Sequence, residues 1–400
     1  MRSLDEHIAL AVALVKLGAT EPVAVRHALG RVTAAAHVAV HASPAFDNSA
    51  MDGYAVHAAD LAGASATHAV SLTIVGESRA GAGVAAAVSM GTTVRIMTGA
   101  PMPTGADSVV PQEAVERDGD HVAFVATPLV GAHIRRRGED LLPGDTVLLG
   151  GMKLGPRHLA AAAAAGLAEL QVVALPRVGY LVTGDELVEL GAELGAGQIH
   201  DSNGVYLEGA ISRLGAVPVH LGRVGDQPHA VRAAIAAAEV DLVVTTGGAS
   251  VGDHDPVKAA LSGSGVDFTQ VAMQPGKPQG IGSIDGTPVL CLPGNPVAVA
   301  VSVELVVGAA VRAMLGSPEP AWHEALAATA WGSPGGREQI MPVVLDDGVG
   351  GPLRVWPATA GGSGSHLAGR LATADALARI SADVVGVNPG DTVLIRRFTA

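Results

Sequence analysis

Ser3-Leu4-Asp5-Glu6 has the form of a helix-capping box, and Ile8, Val12 and Val15 follow at helical spacing, so an amphipathic helix is expected first. A second helix is expected from Pro22, since proline suits a first helical turn. From about Asp47 to Val130 the pattern changes to short β-rich runs broken by Gly and Pro, among them 71–75, 92–97, 109–110 and 122–125. That predicts a compact β-domain inserted into a helical one. Pro156 and Arg157 then lead into the Ala160–Ala165 run, which reads as a helix interior too short to span a membrane. Between Arg177 and Gly316 apolar runs at 178–182, 217–221, 242–246 and 289–292 read as strands, and 203–214, 228–238 and 297–315 as helices. Such alternation predicts a mostly parallel sheet covered on both faces. After Pro318 short β segments return, at 353–356 and 393–397, and imply a small C-terminal β-domain. The fold class is α/β multidomain, divided as 1–46 with 131–176, 47–130, 177–317 and 318–400.

Ligands of open α/β sheets bind beyond the carboxyl ends of the strands. Four loops leave strands there: Thr183-Gly184-Asp185-Glu186, Gly222-Arg223-Val224-Gly225-Asp226, Thr246-Gly247-Gly248-Ala249-Ser250 and Pro293-Gly294-Asn295-Pro296. The third is the most informative. Glycines without a Cβ let backbone N–H groups approach an anion, and the helix that follows adds partial positive charge. Asp253 and Asp255 supply hard oxygen donors, which suit Mg²⁺ bridged to phosphate better than zinc or copper. A glycine-rich turn can equally be a plain tight connection, but four loops sharing Gly with acidic residues or Pro favour a common ligand.

Composition narrows the partner. Over 400 residues the formal net charge is −13, which argues against nonspecific nucleic-acid binding, because such binding relies on Lys and Arg neutralising phosphates. Hydrophobic residues make up 48% but aromatics only 2%, so the cores must be built from Ala, Val and Leu. The single cysteine, Cys291, excludes an internal disulfide and a cysteine-based metal site, and its apolar neighbours make it a buried small hydrophobe. His41, His200, His254 and His366 show no paired metal-ligand spacing. Ser250 has no evident base partner and does not form a hydrolase elbow. The first residues lack a signal-peptide pattern and no apolar run reaches membrane length, so a cytoplasmic protein without a membrane or nucleic-acid partner is expected.

Further motifs join the four loops. They are Phe46-Asp47-Asn48-Ser49-Ala50-Met51-Asp52-Gly53-Tyr54-Ala55, Ile96-Met97-Thr98-Gly99-Ala100-Pro101, Arg136-Arg137-Gly138-Glu139-Asp140, Gly197-Gln198-Ile199-His200-Asp201-Ser202-Asn203, Pro275-Gly276-Lys277-Pro278 and Leu292-Pro293-Gly294-Asn295-Pro296. In this order and over nearly the whole chain they resemble the molybdopterin molybdenumtransferase family, MoeA of bacteria and the E-domain of gephyrin. The resemblance implies a Mog-like three-layer α/β domain, an elongated N-terminal region carrying the inserted β-domain, a C-terminal β-barrel-like domain and a homodimer whose active site draws on both subunits. It also implies a reaction in which adenylylated molybdopterin and molybdate, with Mg²⁺, give molybdenum cofactor and AMP. A Mog-like adenylyltransferase and molybdoenzyme apoproteins would be partners.

By motif, Asp52, Asp140, Glu186, Asp226 and Asp255 fall at catalytic positions, with Glu186, Asp226 and Asp255 as the metal ligands. Thr98, Gly247, Gly248, Ser250, Lys277, Pro293, Asn295, Pro296 and Ser365 fall at substrate-binding ones, Ser365 through a Gly-Ser-His similar to the family's. Lys277 offers a compact cation for phosphate or molybdate, and Arg136 and Arg137 offer donors beside Asp140. Simpler roles compete: Asp185 and Asp253 as helix caps, Arg135–Arg137 as a solvated charge run, Asp52 as the holder of its own turn. The chain departs from the family at Gln274, where lysine is frequent, and near Met341 and Pro342, where an arginine is missing. Two other functions stay open: a non-catalytic pterin-binding scaffold, favoured by those departures, and a Mog-like molybdopterin adenylyltransferase, which leaves the N-terminal motifs unexplained.

Overall fold

The computed structural model describes residues 1–82, 86–225, 227–247, 256–346, 348, 351–359 and 368–398. Ser3 caps the first helix, Leu4–Leu14, by accepting from the Glu6 amide at 3.2 Å. The buried face carries Leu4, His7 and Ala11, whereas Ile8 is half-buried and Val12 exposed. The face is therefore turned from the expected one, and a histidine lies at its centre.

The segment at Pro22 is a strand, not a helix. Thr20–Ala24 pairs antiparallel with Glu169–Val173, Pro22 opposite Gln171, and only the short turn Val25–His27 after it is helical. A proline without an N–H is tolerated on such an edge, and the pairing with a distant segment outweighs the local signal. The inserted sheet runs in the order Ser108–Pro111, Gly53–Val56, Thr92–Ile96, Val70–Ser78, His121–Phe124, Val115–Asp118. Tyr54 and Phe124 meet edge-on in its core, ring centroids 6.2 Å apart.

The central sheet has the order Val217–Val224, Arg177–Thr183, Leu242–Thr246, Thr287–Leu292, Pro278–Ile284, Val266–Gln270. The first four strands are parallel and the last two antiparallel. Gly222 to Val224 belong to the strand rather than to the loop beyond it, and the register against Arg177–Thr183 slips between Tyr180 and Val182. Gly222, at φ 97°, lies opposite that slip, where a glycine lets the strand bulge. The apolar stretch expected to be one helix is Pro296–Ser302, a π-turn Val303–Val307 and Gly308–Leu315. Among the described helices it alone has the length and hydropathy to cross a membrane, but it is 89% buried inside the protein. Its buried Glu304 is matched by Arg213 and by Tyr206, whose hydroxyl burial pushes above its ordinary value.

Five strands of the C-terminal region close on themselves, because Glu338–Asp346 pairs with both Arg354–Pro357 and Ala376–Ile380, and His323–Ala327 and Thr392–Arg397 complete the ring. Met273–Gln274 adds in parallel to Glu338 and Gln339, which docks this barrel onto the central sheet.

His7 makes a measurable contribution. Burial, then the Arg2 charge, lowers its pKa from 6.5 to about 4, against the smaller raising effects of Gln279 and Asp267. The fold therefore holds the imidazole neutral. That contribution is fully present above pH 6.5, where the unfolded chain is neutral too, and is lost as pH falls from 6.5 toward 4. We expect about 2 kcal/mol of stability to be lost by pH 5 relative to pH 7.5. Denaturant unfolding at the two pH values should show this loss in the wild type and a smaller one in His7→Gln.

Candidate functional site

Strand order places the four loops side by side, since the strands ending at Val224, Thr183, Thr246 and Leu292 are neighbours. The loops are stitched together by short polar side chains. Thr246 Oγ1 donates to the Pro293 carbonyl at 2.9 Å, and Asn203 Nδ2 donates to the Gly294 carbonyl at 2.8 Å and to Thr246 Oγ1 at 3.3 Å. Asn203 lies in the first turn of the Ser202–Arg213 helix, whose N-cap Asp201 accepts from the Gly204 amide at 2.8 Å. Gly247 adopts φ 84°, and a Cβ there would stand 2.4 Å from the Thr183 carbonyl oxygen; one on Gly294 would stand 3.3 Å from Gly247 Cα. The glycines thus allow three backbones to approach one another.

Acidic groups line the same edge. The Glu186 carboxylate folds over its own loop, with Oε2 2.6 Å from where a Cβ of Gly184 would be, and the residue is exposed. Asp185 Oδ1 lies 2.6 Å from the corresponding point at Gly225, so the first two loops meet. Asp226, Gly248, Ser250, Asp253, His254, Asp255, Ser365 and His366 lie outside the described residues.

Beside these loops is a cavity of about 230 Å³ lined by Met273–Pro278, Pro293, Asn295, Ala298 and Arg337. Lys277 and Arg337 are both half-buried. The Nε of Arg337 is buried without a hydrogen-bond partner among the described residues. Two cations, one beside the central sheet and one at the entry to the barrel strand Glu338–Asp346, therefore line one small space. Arg337 belongs to none of the sequence motifs; its only local signal is the Gly335-Gly336-Arg337 run before the Glu338–Asp346 strand. Met341, near which the family resemblance leads one to expect an arginine, is fully buried in the barrel core. Asn203 ends the Gly197–Asn203 motif, and its bridging role emerges only from these contacts.

A second group lies where the inserted sheet meets the segment 134–140 that follows it. Asp52 Oδ1 accepts from the Thr98 amide and hydroxyl, both at 2.7 Å, and these bonds hold its carboxyl below the usual carboxylate range. Asp47 accepts from the Arg137 amide and from Arg136 Nη1, each at 2.7 Å, and is lowered likewise. Asp140 is exposed, and its amide donates to the Ser43 carbonyl at 2.9 Å. Pairing of Asn48–Ser49 with Ile134–Arg135 and bridging of Asn48 to Pro101 bring the three motifs together. Of the histidines, His41 packs against Gly166 and His200 lies 3.1 Å from the Glu189 carbonyl. Cys291 is fully buried in its strand.

Fold and site define a multidomain protein that presents glycine-lined backbone and carboxylates at the carboxyl edge of a mostly parallel sheet, next to a cationic cavity. In order along the chain, three family models match: MoeA N-terminal region (domain I and II) over residues 2–166, probable molybdopterin binding domain over 179–313, and MoeA C-terminal region (domain IV) over 324–398. Molybdopterin molybdenumtransferase 2 of Mycobacterium tuberculosis is 39% identical over 100% of both chains. Molybdopterin molybdenumtransferase of Haemophilus influenzae is 34% identical over 95% of this chain and 94% of its own. The crystal structure of molybdopterin biosynthesis MoeA protein from Pyrococcus horikoshii OT3 superposes with a TM-score of 0.84 at 28% identity, covering 100% of both. The chain belongs to the molybdopterin molybdenumtransferase (MoeA) family.

Proposed function

We propose that this protein acts in molybdenum cofactor biosynthesis as a molybdotransferase that converts adenylylated molybdopterin and molybdate into molybdenum cofactor and AMP. The observation that carries this reading is the cavity bearing Lys277 and Arg337 directly beside the Pro293–Pro296 loop. At about 230 Å³ it falls below the usual size of a pocket for a drug-sized ligand, so it suits a small oxyanion, while the pterin and its phosphates lie along the strand-end loops outside it. Arg337 supplies a second cation where the neutral Gln274 replaces a frequent lysine, so the departure at Gln274 does not leave Lys277 alone.

In this reading backbone N–H groups of the Gly247 and Pro293–Pro296 turns hold the ligand's phosphates and pterin edge, and Gly248, Ser250 and Ser365 are assigned ligand contacts by motif alone. Solvent-accessible carboxylates at the Thr183–Glu186 loop are hard, hydrated donors of the kind Mg²⁺ prefers, so Glu186, with Asp226 and Asp255, would hold it. Mg²⁺ held there would supply positive charge against the ligand's phosphates and act as a Lewis acid toward its pyrophosphate. Asp52, fixed by two hydrogen bonds from Thr98 that also lower its carboxyl, can orient a water or a ligand N–H and is a weaker proton acceptor than an ordinary carboxylate. Because Asp52 and Thr98 are carried by the inserted sheet and Asp140 by the turn after Ile134–Arg135, and none by the sheet that carries the strand-end loops, we place them in the site of a second copy, within a cytoplasmic homodimer. The four-domain division 1–46 with 131–176, 47–130, 177–317 and 318–400 belongs to the same proposal.

The test is reconstitution. Purified protein given adenylylated molybdopterin, molybdate and Mg²⁺ is expected to release AMP and to activate a molybdenum-free apoenzyme. Asp255→Ala should abolish turnover with little change in thermal stability. Binding without AMP release would instead favour a scaffold, and consumption of ATP an adenylyltransferase.

A further inference from the structure

The N-terminal helix reaches the cavity from behind. His7 is fully buried, and its Nε2 lies 3.2 Å from Oε1 of Gln279, itself only 1% exposed. Gln279 Nε2 donates to the Gly276 carbonyl at 2.8 Å and to Ser302 Oγ at 3.2 Å. The direction of this chain follows from chemistry. A carbonyl oxygen can only accept, so the amide nitrogen must face Gly276; the amide oxygen left facing His7 can only accept, so Nε2 carries the imidazole proton. Nδ1 is then the acceptor toward Arg2 Nη1, 3.3 Å away.

Gly276 stands between Pro275 and Lys277 at φ 109°, and a Cβ there would come within 3.0 Å of Met273 Cε and 3.2 Å of Ser302 Oγ. The turn that presents Lys277 is therefore pressed against a packed wall and tied to it by one amide. The same N-terminal segment grips both sides of the cavity. The Arg2 amide donates to the Gln270 carbonyl at 2.9 Å, and the Arg2 carbonyl accepts from the Ala272 amide at 2.7 Å. Asp5 pairs with Arg379, which also pairs with Glu338, the neighbour of Arg337.

We propose that Gln279, oriented by His7, is a positioning residue that sets the Lys277 turn and so the affinity of the cavity for its oxyanion. This rests on the reading of that cavity as the molybdate site. The buried imidazole remains neutral at physiological pH, which preserves its roles as donor to Gln279 and acceptor toward Arg2.

The experiment measures KM for molybdate, KM for adenylylated molybdopterin and kcat in the full chain for wild type, Gln279→Met, His7→Phe, His7→Gln and Lys277→Ala. Gln279→Met and His7→Phe should each raise the molybdate KM about tenfold, as expected when the one bond tying the turn at Gly276 is lost or loosened, and leave the other KM unchanged. His7→Gln, whose amide can still donate to Gln279, should restore the wild-type value. If Lys277→Ala raises the molybdate KM while Gln279→Met and His7→Phe do not, positioning is overturned and the cavity reading stands. If Lys277→Ala leaves it unchanged, the cavity reading itself falls. Parallel rises in both KM values would mark a purely structural role and overturn the inference. Should Gln279→Met fail to fold, the contrast between His7→Phe and His7→Gln decides.

Discussion

Replacing both cavity cations, Lys277→Ala with Arg337→Ala, is expected to raise the molybdate KM at least about a hundredfold while barely moving the thermal midpoint. The magnitude follows from charge-assisted hydrogen bonds, each worth about 1.5–3 kcal/mol, or roughly tenfold to more than a hundredfold in affinity. The stability argument is separate. Arg337 has a buried Nε without a partner among the described residues, so removing it relieves an unpaired polar group instead of stranding one. Both side chains are half-buried at the rim of a cavity, and neither belongs to a hydrophobic core. Steady-state AMP release against molybdate concentration, with a thermal melt of the same preparation, checks both halves. An unchanged KM would refute the cavity as the oxyanion site.

Gly247→Ala should have the largest effect on folding of any small change at the site. At φ 84° an L-residue is strained, and the added Cβ would lie 2.4 Å from the Thr183 carbonyl oxygen and 2.9 Å from Thr183 Oγ1. The first of these atoms is backbone at the end of a neighbouring central strand and cannot swing away. We expect a loss of about 2–4 kcal/mol, combining left-handed strain with overpacking, and loss of AMP release as the three loops separate. Gly191 is the control, because it has the same φ of 84° with nothing within 4 Å of an added Cβ. Gly191→Ala should lose only about 1–2 kcal/mol. Equal midpoints for the two variants in denaturant would mean that the contact with Thr183 carries no weight.

The strand-end loops are legible in the sequence, because apolar runs followed by Gly with Asp, Glu or Pro mark where strands stop. Other features are not. Pro22 reads locally as a helix start, yet its partner strand lies at Glu169–Val173. The buried position of His7 contradicts its polarity and is explained only by Gln279 across the fold. The family pattern points to a barrel arginine near Met341, whose side chain is buried in the core, whereas Arg337, just before that strand, reaches the cavity.

Periodicity and turn chemistry are properties of neighbouring residues, so the sequence by itself determined the alternation of strands and helices, the carboxyl-edge loops and the ordered motifs of the family. Which distant groups meet depends on the path of the chain through strand pairing. Only the tertiary structure therefore decided that the barrel closes through Glu338–Asp346, that Asp52 is held by Thr98, and that Lys277, Arg337 and the His7–Gln279 pair converge on one cavity.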